Sequence, residues 1–111
     1  MLFLEFFCGT KKEQVFKPLD PLLNSELRLA VMSLLIGVEK ADFKFLKENT
    51  GATAGNLSVQ LQKLSKAGYI QIKKSFKGNY PLTTCQSTPK GIAAFENHVE
   101  ALKSYINFKN K

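Results

Sequence analysis

The sequence predicts a mainly α-helical fold with one small β-hairpin, an α+β domain. Apolar residues recur at helical spacing in several separate stretches. Before the last of these, a segment rich in β-branched and aromatic residues surrounds a turn of glycine, asparagine and proline. The length of 111 residues predicts a single domain, and the 44% apolar content excludes a disordered chain.

The stretch from Thr50 to Ile70 predicts the helix around which the domain is organised. Thr53 suits its N-cap, and Gly68 suits the left-handed position after its end. The helix is apolar on one face, formed by Leu57, Leu61 and Leu64. The opposite face is polar, mostly short-chained and free of acidic residues: it holds Gly55, Val59, Gln62 and Lys66, with Asn56, Ser58 and Lys63 beside them.

A shorter helix precedes this one. Asp42 can cap it, Phe43 and Leu46 form its inner side, and Gly51 stops it. A short helix, a tight turn and a longer helix form a helix-turn-helix pattern, which predicts that residues 53–67 are a recognition helix. The pattern is degenerate, and an ordinary helical hairpin in an all-α core is equally compatible with it.

The first predicted helix begins at Ser25 and runs to about Ile36, with Gly37 as its stop. It carries two apolar stripes, so it is expected to be buried on both sides. The second stripe is expected to meet another chain or the C-terminal helix; cover by the N-terminal segment is an equally weighted alternative. The stripes are Leu27, Val31, Leu34 and Val38, and Leu29, Met32 and Ile36.

A basic hairpin follows the recognition helix. Strand residues begin at Tyr69, turn formers occupy 76–81, and a returning strand is expected over 82–87. Beside a helix-turn-helix such a hairpin is a wing, whose lysines contact phosphates without reading sequence. The alternative is a solvated sheet edge that lysines protect from aggregation. Residues 38–41 are expected to form a short link, at most a one-residue bridge. The lysines near the tip are Lys73, Lys74 and Lys77.

The last predicted helix starts at Thr88-Pro89, a capping threonine followed by proline at the first helical position. Its long stripe predicts a dimerisation helix that packs with the second stripe of the first helix. An intramolecular clasp across the back of the domain is the alternative. His98 is expected to be a packed or half-exposed interface residue and not a ligand. The stripe consists of Ile92, Phe95, Val99, Leu102 and Ile106.

The charge balance favours a polyanionic partner. Lysine and arginine total 16 against 9 acidic residues, a net charge of +7, although a merely basic soluble protein fits as well. Arg28 is the only arginine, so bidentate arginine recognition of guanine is nearly absent. Cys8 and Cys85 are expected to be reduced thiols in a cytoplasmic protein, with redox sensing left open. No apolar run reaches the roughly 20 residues of a membrane span.

These segments together resemble the winged helix-turn-helix of MarR-like and ArsR-like bacterial transcription regulators, especially the small single-domain subgroup. The similar stretches are LNSELRLAVMSLL, DFKFLKENTGATAGNLSVQLQKLSKAGYI and KKSFKGNYPLTTCQSTPKG. The likeness covers about residues 19–106 and implies a homodimer with two recognition helices in successive major grooves. It divides the chain into an N-terminal extension, 1–18, and a winged helix domain, 19–111, whose dimerisation helix spans about 88–107.

The chain departs from this pattern in two places. Cys85 and Ser87 stand where the subgroup usually has an aromatic and a basic residue before its Thr-Pro. Clustered metal ligands of the ArsR kind are absent, so no metal or other cofactor is expected. Whether a small-molecule effector of the MarR kind binds is left open, because no residue marks a pocket for it.

The apolar N-terminus, 1–7, lacks the basic region of a signal peptide. Three interpretations of it stay open: a strand or turn that packs on a partner, an upstream start-site extension, and a loose tail.

The favoured function is a sequence-specific regulator that binds double-stranded DNA. Gln62 or Asn56 could pair bidentately with adenine, and Val59 could touch a thymine methyl. A winged-helix module for protein assembly is the alternative. An enzyme is not expected, since a single His and no Gly-rich loop leave nothing to build a site from. The predicted base contacts are Asn56, Ser58, Val59 and Gln62; the backbone contacts are Thr53, Gly55, Lys63, Lys66, Lys73, Lys74 and Lys77; the dimer contacts are Leu29, Met32, Ile36, Phe95, Val99, Leu102 and Ile106.

Overall fold

A computed structural model describes residues 16–106. The N-terminal stretch 1–7, Cys8 and the lysine-rich C-terminal tail lie outside the described residues. The elements follow one another as α1 (Glu26–Val38), β1 (Lys40–Asp42), α2 (Phe43–Thr50), α3 (Ala54–Lys66), β2 (Ile70–Lys77), β3 (Tyr80–Ser87) and α4 (Pro89–Ile106). This is the predicted α+β winged-helix architecture with a long C-terminal helix.

The three strands form one antiparallel sheet in the order β1-β3-β2. Strand β1 has three residues and pairs with residues 84–86 of β3, so the link expected to hold at most a one-residue bridge is a true strand. Strands β2 and β3 pair from Ile70–Ser87 up to Lys77–Tyr80. The turn is therefore only Gly78 and Asn79, shorter than the predicted 76–81, because pairing continues to the tip. Gly78 takes the positive φ, 65°, that the reversal requires.

Helix α1 lies at the centre of the domain and contacts every other helix and strands β1 and β3. Its two-sided apolar pattern is thus explained within one chain, by α4 and by Leu23 of the segment before α1. The leucines predicted for the inner face of α3 are buried as well. The core consists of Leu23, Val31, Met32, Leu35, Ala41, Leu46, Leu57, Leu61, Leu64, Ile70 and Cys85.

Side-chain caps start three of the four helices as predicted. The Asp42 carboxylate accepts from the Phe45 amide at 2.8 Å, and the Thr53 hydroxyl accepts from the Asn56 amide at 3.2 Å. Thr88 accepts from the Gly91 amide at 3.0 Å. Ser25 occupies the predicted N-cap position of α1, but its side chain makes no capping hydrogen bond.

The end of α1 differs from its prediction. The helix passes through Gly37 and ends at Val38, and the C-cap residue Glu39 takes a φ of 70°. The Glu39 amide still donates to the Leu35 carbonyl at 2.7 Å, and β1 begins at the next residue. The immediate start of β1 places the reversal on Glu39, although glycine is the usual residue there. Gly51 and Gly68 follow the prediction, with φ of 72° and 82°.

The segment before α1 is fastened to α4 and to the end of α3. The Asp20 amide donates to Nδ1 of His98 at 3.2 Å, and the Tyr69 hydroxyl donates to the Asp20 carboxylate at 2.7 Å. His98 is 2% exposed, so it is the packed residue of the two predicted possibilities. Phe16 stacks on Tyr105 with ring centroids 4.7 Å apart. The boundary at residue 18 stays a prediction, but contacts with α4 already begin at Phe16.

The bond between Tyr69 and Asp20 predicts a loss of stability at high pH. It raises the pKa of Tyr69 from its ordinary 10.0 to about 12, with burial and the Asp20 charge adding to the effect. Because the folded-state pKa is the higher one, the bond stabilises the fold fully below pH 10 and is lost as the pH rises toward 12. Urea unfolding between pH 8 and 12 is expected to show a steeper decline for the wild type than for Tyr69→Phe. Parallel curves would contradict this assignment.

Candidate nucleic-acid interface

The outer face of α3 is open. Its three leucines are at most 2% exposed, which fixes the rotation of the helix and turns the opposite face outward. Val59, an apolar residue, is 51% exposed there. The geometric condition for the predicted base contacts is therefore met, since all four are exposed: Asn56, Ser58, Val59 and Gln62.

The beginning of α3 suits an anionic group. The first N–H groups of a helix have no intrahelical acceptor and carry the positive end of the helix dipole. Gly55 lies in this turn, and a Cβ added to it would meet nothing within 4 Å. The fold itself therefore does not require a glycine at this position. A ligand backbone can approach the first turn more closely than any side chain would allow.

The hairpin of β2 and β3, here the wing, presents lysines on both of its faces. Successive strand residues point to opposite sides, so Lys74 lies on one face and Lys73 and Lys77 on the other. All three are exposed. The tip also carries two aromatic rings in solvent, Phe76 at 74% and Tyr80 at 78% exposure, one on each face.

The charge distribution is one-sided along the chain. The 47 residues from Asn49 to Phe95 contain six lysines and none of the nine acidic residues. This segment includes α3 and the whole wing. The predicted backbone-contacting lysines of α3, Lys63 and Lys66, are exposed like those of the wing. Such a segment attracts polyanions at long range, more strongly at low salt.

Sequence reasoning missed two residues that support this face. Arg28 donates through Nε to the Leu22 carbonyl at 2.6 Å and through Nη1 to Oε1 of Gln60. Gln60 in turn donates to Oδ1 of Asn56 at 3.0 Å. The Asn56–Gln60 spacing of four residues was the available signal. The sole arginine of the sequence, Arg28, therefore links α1 to the first turns of α3 through Gln60.

The predicted dimer contacts divide into three groups. Met32 is wrong as an interface residue, because its side chain is fully buried within one chain. Leu29, Ile36 and Phe95 are partly buried and pack on the same core. Val99 and Leu102 are half-buried on α4, while Ile106 is 73% exposed. Tyr105, which widens the apolar stripe of α4, adds a ring that is 49% exposed at this end of the helix.

Cys85 lies in the hydrophobic core and not on the protein surface. It is fully buried, and burial raises the pKa of its thiol to about 11. Because the thiolate is the reactive form, Cys85 is unreactive near neutral pH. Within residues 16–106, no helix is long and apolar enough to cross a membrane.

A helix-turn-helix with its second helix exposed, followed directly by a basic hairpin, defines the winged helix class. A family model described as a winged helix DNA-binding domain matches residues 27–106. The chain belongs to this family, and the matched region extends from the start of α1 to the end of α4.

Three other proteins are similar to this chain, one in sequence and two in fold. An uncharacterized protein of Methanocaldococcus jannaschii is 37% identical over 78 residues, covering 70% of this chain and 85% of the relative. A transcriptional regulator homologue from Pyrococcus horikoshii OT3 has the same fold, with a TM-score of 0.74, 24% identity, and coverage of 81% of this chain and 89% of that one. A MarR-family transcriptional regulator from Silicibacter pomeroyi superposes with a TM-score of 0.61 at 15% identity, over 79% of this chain and 58% of that chain.

Proposed function

We propose that this protein is a homodimeric transcription regulator that binds double-stranded DNA in a sequence-specific manner. The outer face of α3 enters the major groove, and the wing lysines hold the phosphate backbone. The observation that carries this proposal is the exposure of all four predicted base-contacting residues on a helix whose opposite face is anchored in the core. Membership in a DNA-binding family and the acid-free segment 49–95 support it.

The homodimer is proposed to form through the exposed end of α4. Tyr105 and Ile106 are exposed there, and Leu102 and Val99 lie about one and two turns before them, respectively. A second copy would cover this apolar surface, and a two-fold dimer would present two copies of α3 to successive grooves. Sedimentation equilibrium of the wild type and Ile106→Glu tests this directly. The wild type is expected to be dimeric and the variant to dissociate; a monomeric wild type would contradict the proposal.

DNA binding itself is tested by a mobility assay on random duplex at low and moderate salt. Each phosphate contact releases counterions, so affinity is expected to fall steeply as salt rises. Selection of bound fragments from the host genome and footprinting then give the preferred site. Binding that does not depend on salt, or no binding at low salt, would contradict the proposal.

Gln62→Ala is expected to relax base preference at one position of that site. Gln62 is exposed on the outer face of α3, and one good bidentate pair contributes roughly 1–3 kcal/mol of discrimination. The measurement compares affinities for the preferred duplex, single-base variants of it and random duplex. Affinity for random duplex is expected to stay near the wild-type value. Equal loss on every duplex would exclude Gln62 as a base-reading residue.

Gly55→Ala is expected to separate stability from binding. Alanine is favoured over glycine inside a helix by about 1 kcal/mol, and nothing lies within 4 Å of the added Cβ. The variant should therefore unfold at a higher temperature than the wild type while it binds DNA more weakly, because the methyl group holds the phosphate away. Undiminished affinity would show that the backbone of DNA does not approach Gly55.

A second candidate function is an assembly module that binds another protein. The observation that favours it is the pair of wing-tip rings, Phe76 and Tyr80, each about three-quarters exposed. The salt assay separates the two functions, since an apolar protein contact gains little from low salt. Phe76→Ser with Tyr80→Ser would abolish a protein contact, whereas the lysines would still hold DNA.

The proposed role requires no catalysis and no metal or other cofactor. A bacterial source and a cytoplasmic location stay expectations from the sequence resemblance. A small-molecule effector also stays open.

A further inference from the structure

We infer that Arg28 and Gln60 are positioning residues that set which atoms of Asn56 face DNA, so that Asn56 presents hydrogen-bond donors to the base edges. The inference rests on the proposed function, because it assigns a chemistry to one residue of the proposed reading face. It is carried by a chain of hydrogen bonds from α1 to the first turn of α3.

The first residue in this chain of hydrogen bonds, Arg28, can only act as a donor. A guanidinium has five donors and no acceptor. Arg28 is held at one side by the Leu22 carbonyl, 2.6 Å from Nε, and contacts Gln60 through Nη1. Whatever atom of Gln60 meets Nη1 must therefore accept. The carbonyl oxygen of Gln60 faces Arg28, and its amino group faces away.

The orientation of the Gln60 amide in turn sets the orientation of the Asn56 amide. Four residues apart on one helix, Gln60 and Asn56 are neighbours on the surface of α3. The amino group of Gln60 lies 3.0 Å from the side chain of Asn56 and can only donate. Oδ1 of Asn56 therefore accepts and is directed along the helix toward Gln60. The atom that this leaves for a ligand on the exposed Asn56 side chain is its amino nitrogen, with two donors.

This orientation changes what Asn56 can recognise. Bidentate pairing with adenine, expected from the sequence for Gln62 or Asn56, needs both the oxygen and the amino group of the amide. Because its oxygen is turned along the helix toward Gln60, Asn56 is suited to the acceptors of the major groove instead, N7 and O6 of guanine or O4 of thymine. Gln62 then remains the residue for adenine.

Two variants of Gln60 test the relay against the genome-selected duplex. Gln60→Met keeps the length and helix preference but removes both hydrogen bonds, and Gln60→Glu keeps the acceptor for Arg28 but turns a second acceptor toward Asn56. Asn56→Ala first identifies the base position that Asn56 reads. The readout is the ratio of affinities between the preferred and other bases at that position, which cancels the uniform repulsion caused by the added Glu charge.

Gln60→Met is expected to reduce that ratio about fivefold or more, with other positions unchanged. Gln60→Glu is expected to shift the preference at the same position toward a donor base, cytosine or adenine, because Asn56 turns its amino group toward the new carboxylate. Thermal melting of each variant shows that the fold persists. A purely structural role for Gln60 would lower affinity at all positions alike and would leave the base preference unmoved.

The inference and the proposed function fail in different ways. No salt-dependent binding by the wild type would overturn both. Specific binding with an unchanged ratio in both Gln60 variants, or with no base position sensitive to Asn56→Ala, would overturn the relay alone. In the free protein, the side-chain amide NMR signals of Asn56 are expected to shift in Gln60→Met; unmoved signals would also overturn it.

Discussion

Gly91→Ala is expected to destabilise the domain by several kcal/mol, enough to leave it largely unfolded at physiological temperature. A Cβ at this position would lie 2.1 Å from the Tyr69 carbonyl oxygen and 2.9 Å from the Tyr69 Cα, both backbone atoms. The gain of about 1 kcal/mol in helix propensity cannot offset such an overlap. Because a small domain has only about 5–15 kcal/mol of stability, one clash with backbone can remove most of it.

The contact cannot relax by a small shift of α4. Thr88 is bound to the other side of the same junction, with its hydroxyl donating to the Gly68 carbonyl at 2.6 Å and its amide donating to the Tyr69 carbonyl at 3.1 Å. Moving α4 away would break both bonds and expose the core beneath. Thermal unfolding followed by circular dichroism measures the effect. Gly55→Ala is the matched control, since it makes the same change in a helix where the added Cβ meets nothing. Melting of Gly91→Ala within a few degrees of the wild type would contradict the packing described.

Replacing the three wing lysines, Lys73, Lys74 and Lys77, with glutamine is expected to weaken binding to every duplex by roughly tenfold to a thousandfold at moderate salt. The three side chains are exposed, and none of them forms an ion pair with another residue of the described range 16–106. The slope of log affinity against log salt is negative, and each lost phosphate contact is expected to reduce its steepness by about 0.9. The relative preference between sequences should persist, because phosphate contacts position the protein without reading bases.

A control triple variant separates the wing from net charge. Lys17, Lys40 and Lys103 are exposed lysines outside α3 and the wing, and their replacement by glutamine lowers the net charge by the same amount. Lys103 loses only an exposed pair with Glu100, 3.3 Å away, which contributes little stability. The control is expected to retain most of the affinity. Equal losses in the two triple variants would mean that overall charge, and not the wing, attracts DNA.

Local chemistry explains why much of the fold was predictable. The spacing of Leu57, Leu61 and Leu64 fixes the inner face of α3, and Asp42 and Thr53 start their helices through bonds to amides three residues away. These interactions depend only on neighbours in the sequence. The end of α1 depended instead on the position of β1, which places the positive φ on Glu39 and carries the helix past Gly37.

Contacts between residues that are far apart in the chain could not be predicted from the sequence. Arg28 meets Gln60 across 32 positions, and Asp20 meets Tyr69 and His98 across 49 and 78. No periodicity records such pairs. Met32 was misassigned for the same reason: its stripe is covered within the chain, and a stripe alone does not say what covers it. The exposed face of α3 was predictable, because a helix anchored on one side must present the other.

The outer face of α3 together with the wing is the surface proposed to bind duplex DNA. Backbone-amide NMR of the full chain, titrated with a short duplex of the genome-selected sequence, measures this most directly. The largest shifts are expected in residues 53–66 and 73–80, with the amides of the first turn of α3 among them. Shifts confined to α4 and the segment before α1, with the α3 amides unmoved, would contradict the account.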